Sequence, residues 1–154
     1  MTQNTLILIK PDAVQRGLVG EIISRFERKG LKIVAFKMLY VTPDLARCHY
    51  AEHVDNPYYQ ALEDYMTGSP TVAMIVSGPE AIDAVRLMVG PTNGLTASPG
   101  TIRGDFSTSY RLNLVHASDS EVSAEREIAT FFDPSELIDY DLTLAQWLTT
   151  RTST

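Results

Sequence analysis

His116 ends a short apolar run, Leu114-Val115, and opens onto Ala117 and then Ser118-Asp119-Ser120. An imidazole in such a place is either a half-buried structural group or a group that does chemistry. Taken alone it favours the structural reading, because satisfied histidines are common. The other candidates are scattered. Lys10 follows the apolar run Leu6-Ile7-Leu8-Ile9 and is pinned by Pro11. Arg86 precedes a glycine-rich stretch, Thr92 lies inside it and Arg103 near its end. Arginine suits phosphate because its planar fork donates two parallel hydrogen bonds. Each of these residues alone reads as a solvated charge. Together they bracket the segment that leads to His116.

Other motifs compete with that set. His49-Tyr50-Ala51-Glu52-His53 matches H-x-x-E-H, one of the zinc-protease patterns. Two histidines four apart would share a helix face, but the pattern proposes no particular third ligand. It reads as a solvated helix face. Arg103-Gly104-Asp105 is too short to carry an adhesion function. The chain has neither G-x-x-x-x-G-K-[ST] nor G-x-G-x-x-G, so nucleotide binding would have to proceed without those phosphate cradles.

The elements that must position these residues follow from periodicity. Residues 5–9 are too short and too β-branched for a helix and read as a buried strand. Leu18, Ile22, Ile23 and Phe26 recur at helical spacing, and Gly30 supplies the stop. Residues 32–41 read as a second strand. Thr42-Pro43-Asp44 is a helix start, with the helix reaching to about His53. A further helix runs from Pro57 to about Met66, and 71–77 is a third strand. A helix from Gly78-Pro79-Glu80 is closed by Gly90. The stretch 90–105 has four glycines, two prolines and no apolar period, and loops of that length are usually functional or disordered. A fourth strand over 112–116 and a helix over 122–132 complete the series. The order β-α-β-(α-α)-β-α-β is the ferredoxin-like α+β plan βαββαβ: a largely antiparallel four-stranded sheet with helices on one face, an inserted helical hairpin and a long loop.

The chain is 154 residues long, the size of one domain. Folding at that length buries about 68–70% of the unfolded surface, enough for a core without staples. The net charge of −6 argues against a nucleic-acid or anionic-membrane binder held by overall field, though not against a local cationic pocket. Cys48 is the lone cysteine, which removes intramolecular disulfides and cysteine metal clusters. The first residues lack the charge and apolar length of a signal peptide, and no run suffices to span a bilayer. The expected location is the cytoplasm. Residues 1–154 are expected to form a single domain, with about 134–154 an extension packed on that domain or on a neighbouring subunit.

Three segments, LILIKPDAVQRGLVGEIISRFERKGLKIVAFKM, GPTNGLTASPGTIRGDF and NLVHASDSEVSAEREIATFF, closely resemble the nucleoside diphosphate kinases, collinearly over about residues 4–133. That resemblance implies the ferredoxin-like core. It also implies a γ-phosphoryl transfer from a nucleoside triphosphate to a nucleoside diphosphate through phosphorylated His116. Lys10, Tyr50, Arg86, Thr92, Arg103 and Asn113 match the family's phosphate- and sugar-contacting positions. Ser118 and Glu127 match the hydrogen-bonded pair behind the histidine. Tyr58 falls where an aromatic stacks on the base, and Tyr110 where an aliphatic residue usually covers the other face. Tyr50 is then the useful member of the H-x-x-E-H segment, with His49 and His53 on the helix surface. The resemblance further implies Mg2+ carried by the nucleotide phosphates with no metal ligand on the protein, and a homo-oligomer (hexamer, tetramer or dimer).

The chain departs from the family at three places. Ala117 replaces a common glycine, and we expect an ordinary negative φ there, since a left-handed one would cost about 1–2 kcal/mol. Gly94 replaces a common proline and is expected to loosen the loop. Tyr110 is bulkier than usual. Two other readings compete with the enzyme: a nucleotide-binding regulatory or scaffold protein of the same fold, and a phosphohistidine relay to a protein partner.

Overall fold

The computed structural model describes residues 1–148. Four strands form one sheet: β1 (Thr2–Ile9), β2 (Lys32–Leu39), β3 (Thr71–Pro79) and β4 (Val115–Ala117). Their order is β2-β3-β1-β4, and all three pairings are antiparallel. The central strands β1 and β3 do not alternate apolar with polar. From Thr5 to Ile9 and from Thr71 to Gly78 every residue is buried. A strand of that kind needs cover on both faces.

It has that cover, and the expectation of helices on one face is corrected. Ile7, Ile9, Val72, Met74 and Val76 pack with Ile22 and Phe26 of α2 (Val19–Arg28) and Ala81, Val85 and Val89 of α5 (Ala81–Val89). Leu6, Leu8, Ala73 and Ile75 face the other way. They meet Ala46 of α3 (Pro43–His49), Met66 of α4 (Tyr59–Thr67) and Phe131 of α7 (Glu121–Phe131). The inserted pair α3–α4 and the last helix therefore build a second layer. Burial of this kind contributes about 1.5–3 kcal/mol per large side chain.

Local starts follow the expected chemistry, with shifted ends. The Thr42 hydroxyl accepts from Leu45 N–H at 3.2 Å, with Pro43 opening α3. α3 stops at His49 rather than His53, and a separate 3₁₀ turn covers Ala51–His53. Pro57 precedes α4 by two residues. Pro11 does more than end β1: it opens a short helix, α1 (Pro11–Gln15), with Lys10 at the cap. The stretch 90–105 contains another, α6 (Ile102–Phe106), where the Thr101 hydroxyl accepts from Gly104 N–H at 3.0 Å. A Cβ at Gly104 would come within 2.0 Å of Ser98 O, so the turn closes only on glycine. Asp105 ties this turn to α2 through Arg25 at 2.6 Å.

Beyond α7 the chain runs back along the free edge of β2. Ile138 N–H donates to Val34 O and the Tyr140 hydroxyl to Ile33 O, each at 2.8 Å. The β2–β3 register shifts between Ile33 and Ala35 at the same place. Residues 149–154 of the expected extension lie outside the described residues. Among the described residues no helix is long and apolar enough to cross a membrane.

Candidate active site

β4 is three residues long, and its side chains alternate. Val115 and Ala117 enter the core beneath α5, so His116 between them faces the α3–α7 layer. There α7 presents a buried stripe of Ala124, Glu127 and Phe131, a carboxylate set among apolar neighbours at helical spacing. The Ser120 hydroxyl caps α7 by accepting from Ser123 N–H at 3.2 Å. His116 Nε2 lies 3.0 Å from Glu127 Oε2, and the Ser118 hydroxyl donates to the same oxygen at 2.6 Å. Burial alone would raise the Glu127 carboxyl, but hydrogen bonding and charge from His116, and the Ser118 bond, hold it below the usual range. It is an anion that accepts from the ring N–H. His116 Nδ1 makes no hydrogen bond among the described residues, and the side chain keeps 22% of its surface in solvent.

The backbone just before His116 is unusual. Leu114 is fully buried with φ +74, where a side chain crowds its own backbone. Its N–H donates to Asp12 Oδ2 at 3.2 Å, and its carbonyl accepts from Lys10 N–H at 2.8 Å. Tyr65 donates to the other Asp12 oxygen. Asp12 and Tyr65 are thus part of the site's frame. Sequence reading missed both, although Asp12 sits two residues from Lys10. Ala117 has no positive φ, as expected; the left-handed residue lies three positions earlier.

The cations converge on this segment. Lys10 is 8% exposed, and its ammonium donates to Asn113 Oδ1 at 2.9 Å. Burial, with Arg103 nearby, lowers it to about 8 against the opposing pull of Asp12. Arg103 is 4% exposed, which excludes any adhesive display of the RGD segment. Its guanidinium donates to Asn113 O at 3.1 Å, Gly90 O at 3.0 Å and Val115 O at 2.6 Å. Of its five N–H groups, two have no partner among the described residues. Burial and the neighbouring Arg86 lower it to about 10. Half-buried Arg86 reaches Ala117 O at 3.4 Å. Both arginines therefore hold carbonyls that flank His116. Asn113 also donates to Thr92 O and Tyr110 O, each at 3.2 Å, and so closes the long loop over the site.

The aromatic candidates are less tightly placed. Tyr110 is 63% exposed and Tyr58 44%. The Tyr58 hydroxyl meets His53 Nδ1 at 2.6 Å and Asn56 at 3.0 Å, apart from the other candidates. The Tyr50 hydroxyl is buried without a partner among the described residues, and burial raises its pKa.

One expectation is corrected here. His49 is not helix surface: it is buried, edge-on to the His116 ring at 4.6 Å and to Phe131 at 5.2 Å. The helix ends at His49, so His49 turns inward while His53 stays exposed on the next turn. Burial and the adjacent His116 push the His49 imidazole down to about 3, so it is neutral. At Gly94 a Cβ would lie 2.4 Å from Ser107 Cβ, so the backbone there packs close against Ser107. A larger cavity of about 570 Å3 lies between the first residues of β1 and α7, but it touches none of these groups.

A sequence profile described as nucleoside diphosphate kinase matches residues 3–137. The chain belongs to the nucleoside diphosphate kinase family. It is an enzyme of nucleotide phosphoryl transfer. A nucleoside diphosphate kinase of Rhodopirellula baltica is 56% identical, over 95% of this chain and 96% of the relative. One from Archaeoglobus fulgidus is 53% identical over 95% and 97%. Among solved structures, the halophilic nucleoside diphosphate kinase of Halobacterium salinarum in complex with CDP superimposes with a TM-score of 0.94. It is 44% identical and covers 97% of this chain and 99% of that one. A nucleoside-diphosphate kinase of Borrelia burgdorferi, a transition state mimic with bound vanadate and ADP, has a TM-score of 0.90. Its identity is 39%, with 96% and 98% covered.

Proposed function

We propose that this kinase passes the γ-phosphoryl group from a nucleoside triphosphate to a nucleoside diphosphate in two steps through His116. The observation that carries this reading is the 3.0 Å contact between His116 Nε2 and Glu127 Oε2. Glu127 as an anion can only accept there, which assigns the ring proton to Nε2 and leaves the Nδ1 lone pair to attack. In the first step Nδ1 bonds to the γ-phosphorus as the bond to the β–γ bridging oxygen breaks, and the diphosphate leaves. The second step reverses this with a new diphosphate as acceptor. A phosphohistidine is close in energy to the anhydride, so both directions run. Lys10, Arg86 and the free donors of Arg103 offset charge on the transferred oxygens. Tyr50, Thr92 and Asn113 contact phosphate or sugar, and Ser118 steadies Glu127.

Mg2+ arrives on the nucleotide phosphates, as part of the substrate. Tyr58 and Tyr110 offer π-faces rather than hydrogen bonds to the base, which favours broad base tolerance. The exposed Phe36 and Met38 on the outward strand β2 support a homo-oligomer, and the free thiol of Cys48 suits the cytoplasm. The scaffold alternative is not favoured, because the family match and the contact of His116 with Glu127 both support turnover.

The test is His116→Ala. Incubation with [γ-³²P]ATP should label the wild-type chain with acid-labile, base-stable phosphate and leave this variant unlabelled. Labelling of the variant at the wild-type level would end the reading.

A further inference from the structure

The H-x-x-E-H segment leaves one residue unexplained. His49 is buried to nine-tenths, yet among the described residues neither ring nitrogen has a hydrogen-bond partner. A buried imidazole left unpaired costs roughly 1–3 kcal/mol, so its presence calls for a reason. Its surroundings supply one. A nitrogen of His49, a nitrogen of His116 and an oxygen of Glu127 all lie within 4.8 Å of one another. Two imidazoles and one carboxylate form a zinc-type ligand set. Tetrahedral bonds of about 2.0–2.1 Å place ligand atoms roughly 3.4 Å apart, which modest side-chain rotation reaches from these positions.

We propose that His49, His116 and Glu127 form an inhibitory site for a borderline-soft divalent ion such as Zn2+. A cavity of about 160 Å3 opens onto all three. Its wall also carries Glu52, Asp119 and Arg126. Three carboxylates line it against one guanidinium, and Arg126 is drawn to Glu52 at 3.5 Å, which offsets the positive charge that Lys10 places near His49 and Arg86 near Asp119. Water or one of the outer carboxylates completes the shell. Mg2+ does not compete, because it prefers oxygen ligands and keeps its water.

The bound ion stops catalysis whichever nitrogen of His116 it takes. At Nδ1 it occupies the attacking lone pair. At Nε2 it displaces the ring proton from its place beside Glu127, and in the neutral ring that proton moves to Nδ1. The H-x-x-E-H histidines are then not partners of each other. One of them pairs with the catalytic histidine from a distant strand.

The inhibition rests on His116 being the nucleophile; the binding does not, and the experiment separates them. The nucleotide-free enzyme is titrated with Co2+, a visible-absorbing stand-in for Zn2+. One equivalent should give the intense bands of a four-coordinate ion, lost on adding Zn2+. His49→Gln and His49→Phe should each lose them, the second keeping the ring-on-ring packing. Cys48→Ser should keep them. In the wild-type protein, Zn2+ should shift the ring resonances of two of the three histidines and spare that of His53. In excess Mg2+, Zn2+ should block labelling by [γ-³²P]ATP, with reversal by a chelator. Relative to each protein's own zinc-free rate, the half-inhibiting Zn2+ should rise at least tenfold in both His49 variants. Cobalt bands that survive loss of His49, or inhibition that disappears with Cys48, would overturn the site. Metal bound through His49 with labelling undiminished would overturn the inhibition, while the nucleophile stands or falls on His116→Ala.

Discussion

The two ends of the site are built differently. At the proposed phosphate end Lys10 and Arg103 are almost fully buried, and among the described residues they donate to oxygens of Asn113, Gly90 and Val115. At the proposed base end Tyr58 is 44% and Tyr110 63% exposed. The difference matches what each end must do. A transferring phosphoryl group presents the same charge in every substrate, so preorganised donors gain most by being rigid. The bases differ from one another, and an exposed aromatic face tolerates them all.

If rigidity at the phosphate end is the source of rate, removing its best-held cation should have the largest effect. Arg103→Lys keeps the charge but cannot bridge three carbonyls at once. We expect kcat/KM to fall by about 10²–10³-fold. The melting temperature should also drop, because buried carbonyls lose their donor. Steady-state kinetics and a thermal melt check this; a fall below tenfold would show that the anchoring is incidental. Glu127→Gln is a finer cut. Both bonds from His116 and Ser118 end on one oxygen, which an amide oxygen can replace. The change then removes charge with little change of shape. The phosphorylation rate should fall on the order of 10²-fold, measured in a single turnover, with stability little altered.

Lys10 brings pH into the comparison. Its ammonium is lowered to about 8, so in the free enzyme the cation is present below that pH and lost above it. The kcat/KM profile should fall about tenfold per pH unit beyond roughly pH 8. Stability has the opposite slope. The unfolded lysine keeps its proton to about 10.4, so between these values the unfolded state binds more protons and stability rises with pH. Lys10→Arg stays charged throughout and should abolish the alkaline fall. A profile flat to pH 10 in the wild type would place Lys10 outside the reaction.

Much of this was legible in the residues. The apolar runs at 5–9 and 71–77, the Thr42-Pro43 start and the glycine stops marked the elements, because each depends on neighbours in sequence. The proposed site set, from Lys10 to Glu127, came from the resemblance of whole segments to a known family. The unread part depends on distant contacts. That the helices cover both faces is written in the lack of alternation in β1 and β3, a signal weaker than periodicity. His49 looked like surface because its partner ring lies on a strand 67 positions away. The left-handed Leu114 could not be foreseen either. Nothing in a leucine announces it, and the conformation is held by Asp12 and Lys10 from the other end of the chain.

The smallest expected effect tests the loose end of the comparison. The Tyr58 ring is free to stack, while its hydroxyl is occupied by His53 and Asn56. Stacking on an aromatic contributes about 1–3 kcal/mol per base when well packed, and a half-exposed ring belongs near the lower limit. Tyr58→Ala should therefore raise KM by roughly fivefold, since 1.4 kcal/mol is tenfold. kcat should hold, because the ring binds ground and transition states alike. The decisive feature is uniformity. ADP, GDP, CDP and UDP should all weaken by about the same factor, purines slightly more for their larger face. Loss confined to one base would mean that Tyr58 reads a hydrogen-bonding edge, and the base end would then be as specific in its way as the phosphate end.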